Sequence, residues 1–286
     1  MVGGRVRSLS LRSSGLTRLP AAVARLTAVE ELDLTGNRFR TIPEWFWRLT
    51  SLPSLRLGDN RLSSLPGDVG SLVGLTHLYL YGNPLSSRPE GVGELADLRV
   101  LDLSHNPELA ALPQSIGKLS KLAFLYASEH RLRELPESLG KLSSLLYLNA
   151  STNQLTSLSA AIGMLTGPRE QRLNNNELAA LPNSIGRLVE LPELHLANNG
   201  LTALPGSIGT LGKLRTLDLN ANEPAQLPRQ LGDLAALTTL TARRNRLTGL
   251  PRSIGSMARL THLDLRTNRL TSVPPTVSDL GAPCDD

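Results

Sequence analysis

The sequence contains one cysteine, Cys284, and few aromatic residues: three Phe, two Trp and four Tyr among 286 residues. A single cysteine excludes a disulfide-stabilised fold and any zinc or iron–sulfur centre built from a cysteine cluster. No apolar run reaches the roughly 18 residues that a membrane span needs. The first thirty residues carry five arginines and no apolar segment typical of a signal peptide. These absences predict a cytoplasmic protein without a membrane partner.

Leucine, in contrast, is in large excess, at 62 of the 286 residues. Dependence on one aliphatic residue indicates a small structural unit that is used many times. The chain aligns with itself at a period of 23 residues from Val6 onward, which gives twelve repeats over residues 6–282. We therefore expect an N-terminal extension at 1–5, one solenoid at 6–282 and a C-terminal tail at 283–286.

The ninth repeat, LPELHLANNGLTALPGSIGTLGK at 191–213, shows the shared pattern. Apolar positions four and six alternate with polar position five, which predicts a short strand. Proline stands at position fifteen in all repeats except the seventh, where Ser159 replaces it. Proline ends the strand, and the apolar positions eighteen and twenty-one fit one helical or 3₁₀ turn that faces inward. Each repeat is thus expected to add one strand and one return segment to a continuous core.

Position nine is asparagine in ten repeats, and we expect these side chains to form an inward ladder that satisfies backbone groups. The eighth repeat carries Pro168 and Gln171 where leucine is usual, which predicts an irregular strand. In the second repeat, Trp45 and Trp47 flank an inward Phe46. These two tryptophans either seal the end of the core or form a second contact surface.

The repeat resembles that of leucine-rich repeat proteins, over residues 6–282. Its LPxxIGxL half is similar to the 23-residue class of bacterial leucine-rich repeat proteins and of plant intracellular Ras-group-related ones. The resemblance implies an α/β repeat solenoid shaped as a horseshoe, with a parallel β-sheet on the concave face and short helical or 3₁₀ segments on the convex face. It also implies protein–protein recognition rather than catalysis.

Motifs of enzyme chemistry are missing from the sequence. It has no GxxxxGK[ST], GxSxG or HExxH, and its glycines recur at position nineteen as part of the repeat. His77 and His105 lie in neighbouring repeats, but at positions that suit a metal pair poorly. We therefore predict no enzyme activity, no catalytic residue, no cofactor and no metal site.

The strand-face residues of repeats four to seven are the predicted partner site. All four tyrosines of the chain fall on strand-face positions, which we take as three, five, seven and eight of each repeat. Tyrosine offers a large contact area with few rotatable bonds, which suits a binding hot spot. The alternative is that some of these rings only stack across strands and support the sheet. The predicted partner-binding residues are His77, Tyr79, Tyr81, Asp102, His105, Phe124, Tyr126 and Tyr147.

The basic residues of the chain concentrate near its C-terminal end. Residues 237–282 contain seven Arg against Asp264 and Asp279, a local net charge of 7 − 2 = +5. Arginines stacked on adjacent strands repel one another unless an anion neutralises them, which predicts a site for an acidic or phosphorylated partner. The alternative is a solvated charged face. The residues of this secondary site are Arg243, Arg244, Arg246, Arg266 and Arg269.

The leading hypothesis is a protein–protein recognition module or scaffold that binds its partner on the concave face. The alternative function is binding of anionic partners or nucleic acid through the arginine-rich repeats, with nucleic acid the less favoured of the two. Salt-dependent retention on heparin would favour the alternative, whereas a salt-insensitive protein partner would favour the leading hypothesis.

Overall fold

The structure is a computed structural model that describes residues 6–165 and 167–280. The expected extension at 1–5, the end of the expected solenoid at 281–282 and the expected tail at 283–286 lie outside the described residues. The described chain falls into two compact units. The first comprises 6–132 and Lys141–Leu145, and the second comprises Arg133–Gly140 and 146–280.

Each repeat contributes one three-residue strand, formed by its positions three to five. Within each unit six strands pair in parallel and in chain order, and every leucine at position four of one strand faces the same position of the next. The strands of the first unit are β1 (Ser8–Ser10), β2 (Glu31–Asp33), β3 (Ser54–Arg56), β4 (His77–Tyr79), β5 (Val100–Asp102) and β6 (Phe124–Tyr126). Those of the second are β7 (Tyr147–Asn149), β8 (Glu170–Arg172), β9 (Glu193–His195), β10 (Thr216–Asp218), β11 (Thr239–Thr241) and β12 (His262–Asp264).

A five-residue 3₁₀ helix follows each strand, as the repeat pattern predicts. In chain order these helices are Ala21–Arg25, Glu44–Arg48, Gly67–Ser71, Glu90–Glu94, Gln114–Lys118, Glu137–Lys141, Ala160–Met164, Asn183–Arg187, Gly206–Thr210, Arg229–Asp233, Arg252–Ser256 and Pro275–Asp279. No helix of the described chain is long and apolar enough to cross a membrane.

The proline at position fifteen starts the 3₁₀ helix. Pro20 has an extended backbone, and its carbonyl oxygen accepts the first helical hydrogen bond from the N–H of Val23 at 3.0 Å. Proline suits this place because its own missing N–H has no helical partner to lose. In the seventh repeat the hydroxyl of Ser159 takes over, accepting from the N–H of Ala161 at 3.2 Å. A serine cap thus replaces the fixed φ of proline.

The asparagines at position nine form the expected inward ladder. The side-chain N–H₂ of Asn60 donates to the carbonyl oxygens of Leu57 at 3.1 Å and of Leu34, in the preceding repeat, at 3.0 Å. Its side-chain oxygen accepts from the N–H of Phe39 at 3.1 Å. One side chain therefore satisfies backbone groups of two repeats at the turn that ends the strand.

Position eight has a left-handed backbone in every repeat, a feature that the sequence pattern did not reveal. The residues are Ser13, Gly36, Asp59, Gly82, His105, Glu129, Thr152, Asn175, Asn198, Ala221, Arg244 and Thr267, with φ between 51° and 72°. Only two of them are glycine, so ten side chains hold a conformation that L-residues adopt rarely.

The expectation of an irregular strand in the eighth repeat was wrong. Glu170–Arg172 is a strand whose residues pair in register with Tyr147–Asn149 and with Glu193–His195. Ladder hydrogen bonds use only backbone groups, so the replacement of leucine by Gln171 does not interrupt them. The replacement instead costs folding free energy at the Gln171 side chain, which is fully buried and whose two polar atoms have no hydrogen-bond partner in the described chain.

The tryptophans of the second repeat pack as structural residues. Trp47 is buried, and its ring meets that of Phe46 edge to face, with centroids 5.2 Å apart. Trp45 is half-buried, 6.2 Å from Phe46. This packing favours the core-sealing interpretation for Trp47 and leaves only Trp45 partly open to a partner.

Candidate binding surface on the strand face

The strand face is the surface formed by the side chains on the other side of the strands from the buried leucines. In β4 the central Leu78 is buried, while His77 and Tyr79 on either side of it are half-exposed. This alternation follows from the two-residue period of a strand. Seven of the predicted partner-binding residues lie on the strand face of the first unit, and we call them the aromatic patch: His77, Tyr79, Tyr81, Asp102, His105, Phe124 and Tyr126.

Strand register arranges the patch in two rows. One row runs His77, Val100, Phe124 and the other runs Tyr79, Asp102, Tyr126 across β4, β5 and β6. Neighbouring strands lie about 4.8 Å apart, so each row brings its side chains into reach of one another. Phe124 is 38% exposed, and the other members of the rows are half-buried.

Arg56 extends the patch by one strand and was missed in the sequence. Its guanidinium carbon lies 4.8 Å from the centroid of the Tyr79 ring, and its Nε lies 3.2 Å from a carboxylate oxygen of Glu31. The Tyr79 ring is in turn stacked with His77, with centroids 6.5 Å apart. A cation held between a carboxylate and a ring face is a cation–π arrangement. The signal was available, because Arg56 and Tyr79 share position five of adjacent repeats.

The environment of His77 disfavours its charged form. Burial is the main reason that its pKa is lowered, and the positive charges of Arg56 and Arg99 lower it further. Its Nδ1 lies 2.8 Å from the hydroxyl of Thr76. His77 therefore presents a largely neutral ring to the patch at neutral pH.

Tyr81 is placed by a glycine of the neighbouring repeat. Its ring lies so close to Gly58 that a Cβ on Gly58 would come within 2.5 Å of ring carbon Cζ. Both residues occupy position seven, so the ring of the fourth repeat covers the backbone of the third. The sequence shows the tyrosine but gives no sign that a missing side chain next door makes room for it.

Asp102 is a half-buried carboxylate on the row between Tyr79 and Tyr126. Its Oδ1 accepts a hydrogen bond from the N–H of Ser104 at 2.9 Å. Burial raises the pKa of this carboxyl, although the bonds from Ser104 and the nearby His105 oppose the shift. Within the described chain no Arg, Lys or His forms an ion pair with Asp102. The neighbouring His105 pairs instead with Glu129 at 2.7 Å.

Tyr147, the eighth predicted residue, belongs to the second unit. It lies in register with Glu170 on the strand face of that unit. There Glu170, Glu193 and His195 bring their ligand atoms within 4.8 Å of one another, a group that could hold a metal ion and that sequence reasoning did not find. The guanidinium of Arg172 pairs with one member of this group, its Nε lying 2.5 Å from the carboxylate of Glu170. In this structure the cation that contacts the group is therefore an arginine side chain of the protein.

The arginines near the C-terminal end are partly neutralised by the chain itself. Arg266 binds Asp264 through two hydrogen bonds of 2.8 and 2.6 Å, and Nε of Arg243 lies 3.7 Å from the same carboxylate. The hydrogen bonds from Arg266 lower the pKa of Asp264 to about 2. Arg246 pairs with Glu223 at 3.1 Å.

Arg243 and Arg266 share one carboxylate of the chain, that of Asp264, which reduces the need for an outside anion at these two arginines. Their contact with a partner stays a prediction. Arg244 and Arg269 remain exposed, and neither forms an ion pair within the described chain.

Leucine-rich repeat family models match most of the sequence. The model of a leucine-rich repeat region matches residues 66–170, a second leucine-rich repeat model matches 4–62 and 189–247, and a third matches 259–280. Together with the repeat geometry, these matches define the class: the chain belongs to the leucine-rich repeat family. Among curated proteins, none matches this sequence.

Solved structures of bacterial and plant proteins resemble this one. A leucine-rich repeat protein of Leptospira interrogans is 34% identical with a TM-score of 0.89, and the match covers 96% of this chain and 70% of that one. The plant peptide hormone receptor RGFR1, solved in complex with RGF2, is 30% identical with a TM-score of 0.73, covering 95% and 49%. The Arabidopsis receptor kinase HAESA, solved with the peptide hormone IDA and the co-receptor SERK1, is 29% identical with a TM-score of 0.75, covering 94% and 51%. The chain thus spans about half the length of these two receptor chains.

Proposed function

We propose that the protein is a non-enzymatic recognition module that binds a protein or peptide on the strand face of its first unit, at the aromatic patch. The observation that carries the proposal is the gathering of partly exposed rings on β4 and β6, with Asp102 on β5 between them and Arg56 on the neighbouring β3. Aromatic and arginine side chains dominate the energetics of protein interfaces. The leucine-rich repeat family is a binding fold, and similar receptor chains were solved with bound peptide hormones.

Short parallel strands suit this role because they hold side chains in a fixed array. Each row repeats at the spacing of the strands, so a partner meets a preorganised surface and loses little free energy to rearrangement. Tyrosine adds a hydroxyl to each ring, which lets one residue contribute both apolar contact and a hydrogen bond.

The experiment is peptide display against the immobilised protein, followed by affinity measurement with the double variant Tyr81→Ala/Tyr126→Ala. We expect selected peptides to bind the variant at least tenfold more weakly while its melting temperature stays close to that of the parent protein. Trp45→Ala is the control, because it removes a half-exposed ring that lies outside the patch. Retained affinity in the double variant, or loss only with Trp45→Ala, would contradict the proposed site.

A secondary contact with an acidic or phosphorylated partner is proposed at Arg244 and Arg269. These two arginines are exposed and lack an ion-pair partner in the described chain, so their charges are available. Heparin retention should fall more in Arg244→Gln/Arg269→Gln than in Arg243→Gln/Arg266→Gln, whose arginines lie against Asp264. Equal losses, or no retention of the parent protein, would remove this contact.

The cytoplasmic location and the scaffold role expected from the sequence remain predictions. Fractionation of cells that express the full-length gene, with immunoblotting of each fraction, tests the location directly.

A further inference from the structure

We propose that the aromatic patch recognises an arginine side chain of the partner, seated over the carboxylate of Asp102 between Tyr79 and Tyr126. This inference rests on the proposed function and adds the chemistry of the ligand. Register places Asp102 directly between these two tyrosines on adjacent strands.

The protein itself shows how such a set of groups holds a guanidinium. On the β3 side of Tyr79, Arg56 lies 4.8 Å from the ring centroid and pairs with Glu31. On the β5 side of the same ring, the carboxylate of Asp102 and then the ring of Tyr126 follow in the row. A carboxylate beside a tyrosine ring is thus found twice: Glu31 with Tyr79 itself on the β3 side, where Arg56 lies, and Asp102 with Tyr126 on the β5 side.

Asp102 has the properties of a carboxylate that a partner must neutralise. It is half-buried, its hydrogen-bond partner is the uncharged Ser104, and it makes no ion pair in the described chain. The neighbouring His105 contacts the carboxylate of Glu129. Burial raises the pKa of Asp102 despite the hydrogen bonds from Ser104, which indicates that the ionised form is only partly compensated. A cation placed here would gain a partly desolvated charge pair with Asp102 and contact with the ring of Tyr126.

Arginine fits this place better than lysine. Its planar guanidinium stacks on aromatic rings while its N–H groups still reach a carboxylate in the same plane. Lysine carries a compact, strongly hydrated charge and would have to lose more water to enter between two rings.

The probe is N-acetyl-arginine amide, with N-acetyl-citrulline amide as its neutral isostere. The chain has four tyrosines, so labelling one ring position of tyrosine gives four NMR signals that single Tyr→Phe variants assign. Titration with the arginine amide should shift the Tyr79 and Tyr126 signals, and the citrulline amide should not. Equal shifts with both compounds, or no shift of these two signals with the arginine amide, would overturn the proposal.

The decisive variant is Asp102→Asn, which keeps the oxygen that accepts from Ser104 and removes only the charge. Its affinity for the arginine amide should fall at least tenfold. Asp33→Asn is the matched control: Asp33 holds the same position in its repeat and accepts the same 2.9 Å bond, from Thr35, but lies next to Ser10 and Arg56 instead of two tyrosines. Equal effects of the two variants would contradict the proposal.

Peptide display separates this inference from the proposed function. Selected peptides that need the tyrosines but bind Asp102→Asn as tightly as the parent protein would overturn the arginine assignment and leave the recognition function standing. Failure to select any peptide would count against the recognition function, while the amide titration would still decide the arginine site.

Discussion

The ring of Tyr81 covers the backbone of Gly58, so the absence of one side chain determines where a ring of the next repeat lies. Position seven holds side chains of several kinds in the other repeats, so the sheet forms whichever residue stands there. A change at Gly58 would therefore leave the fold intact but would alter the shape of the aromatic patch.

Gly58→Ala should displace the Tyr81 ring and weaken partner binding. The added Cβ would meet three ring carbons at 2.5 to 2.8 Å, and the ring, at the end of a rotatable side chain, is the part that can move. We expect a several-fold loss of affinity for display-selected peptides, with a shifted Tyr81 ring signal and little change in melting temperature. Gly67→Ala, in the same repeat and with no described atom within 4 Å of the new Cβ, should leave binding unchanged. Unaltered binding in Gly58→Ala would show that the position of Tyr81 is irrelevant to recognition.

Gln171→Leu should stabilise the protein. Gln171 is 0% exposed, and both its side-chain amide atoms lack a hydrogen-bond partner in the described chain. Leucine fills the same position in all other repeats, so the replacement restores the usual core residue and removes two stranded polar groups. Burying such groups unpaired costs about 1–3 kcal/mol, and denaturant unfolding should show a gain of that order.

The reciprocal change Leu194→Gln, at the facing position of the next strand, is the control for that experiment. It should destabilise the protein by a similar or larger amount, because it adds two polar groups to a filled core. No gain from Gln171→Leu would mean that the amide is satisfied in solution.

The period of the sequence was enough to predict the strands, the 3₁₀ helices and the asparagine ladder, because each depends on one residue type at one position. The positions of rings and charges were predicted only in part. Tyr79, Asp102 and Tyr126 could be placed on one face from the period of two. The contact of Arg56 with Tyr79 could have been inferred from their shared position five, whereas the close approach of Tyr81 to Gly58 depends on the shape of a neighbour and is visible only in the structure. The left-handed backbone at position eight also gave no signal, since ten different repeats fill it with residues other than glycine.

The stability of the protein should fall as pH drops from 6.5 towards 4, in part because of His130. This residue replaces the ladder asparagine of the sixth repeat, and its Nδ1 bonds to the carbonyl oxygen of Asn106 at 3.0 Å, while its Nε2 is buried without a hydrogen-bond partner among the described residues. Burial, with a smaller contribution from the charge of His105, lowers the pKa of His130 from 6.5 to about 4. Between these values the unfolded chain takes up a proton that the folded protein resists, which removes about 3 kcal/mol from the free energy of unfolding.

His130→Asn isolates this contribution, because asparagine restores the ladder residue and does not titrate. The difference in unfolding free energy between the parent protein and the variant should be constant above pH 6.5 and should grow in favour of the variant as the pH approaches 4. Urea unfolding at a series of pH values measures it. Parallel pH profiles for the two proteins would show that His130 titrates normally in the fold.

Thr267→Gly should stabilise the protein, although glycine usually weakens a folded chain. Thr267 holds φ at 59°, and a branched side chain is strained in this left-handed conformation by about 1 kcal/mol, whereas glycine adopts it freely. The matched control is Thr202→Gly, at an exposed threonine whose φ is not positive. There the same substitution should destabilise the protein by about 0.5–1 kcal/mol. No backbone strain is relieved at Thr202, so the only effect is the greater conformational freedom of glycine in the unfolded chain. Denaturant unfolding of the two variants should therefore give opposite signs, and two losses of equal size would show that the position-eight backbone carries no strain.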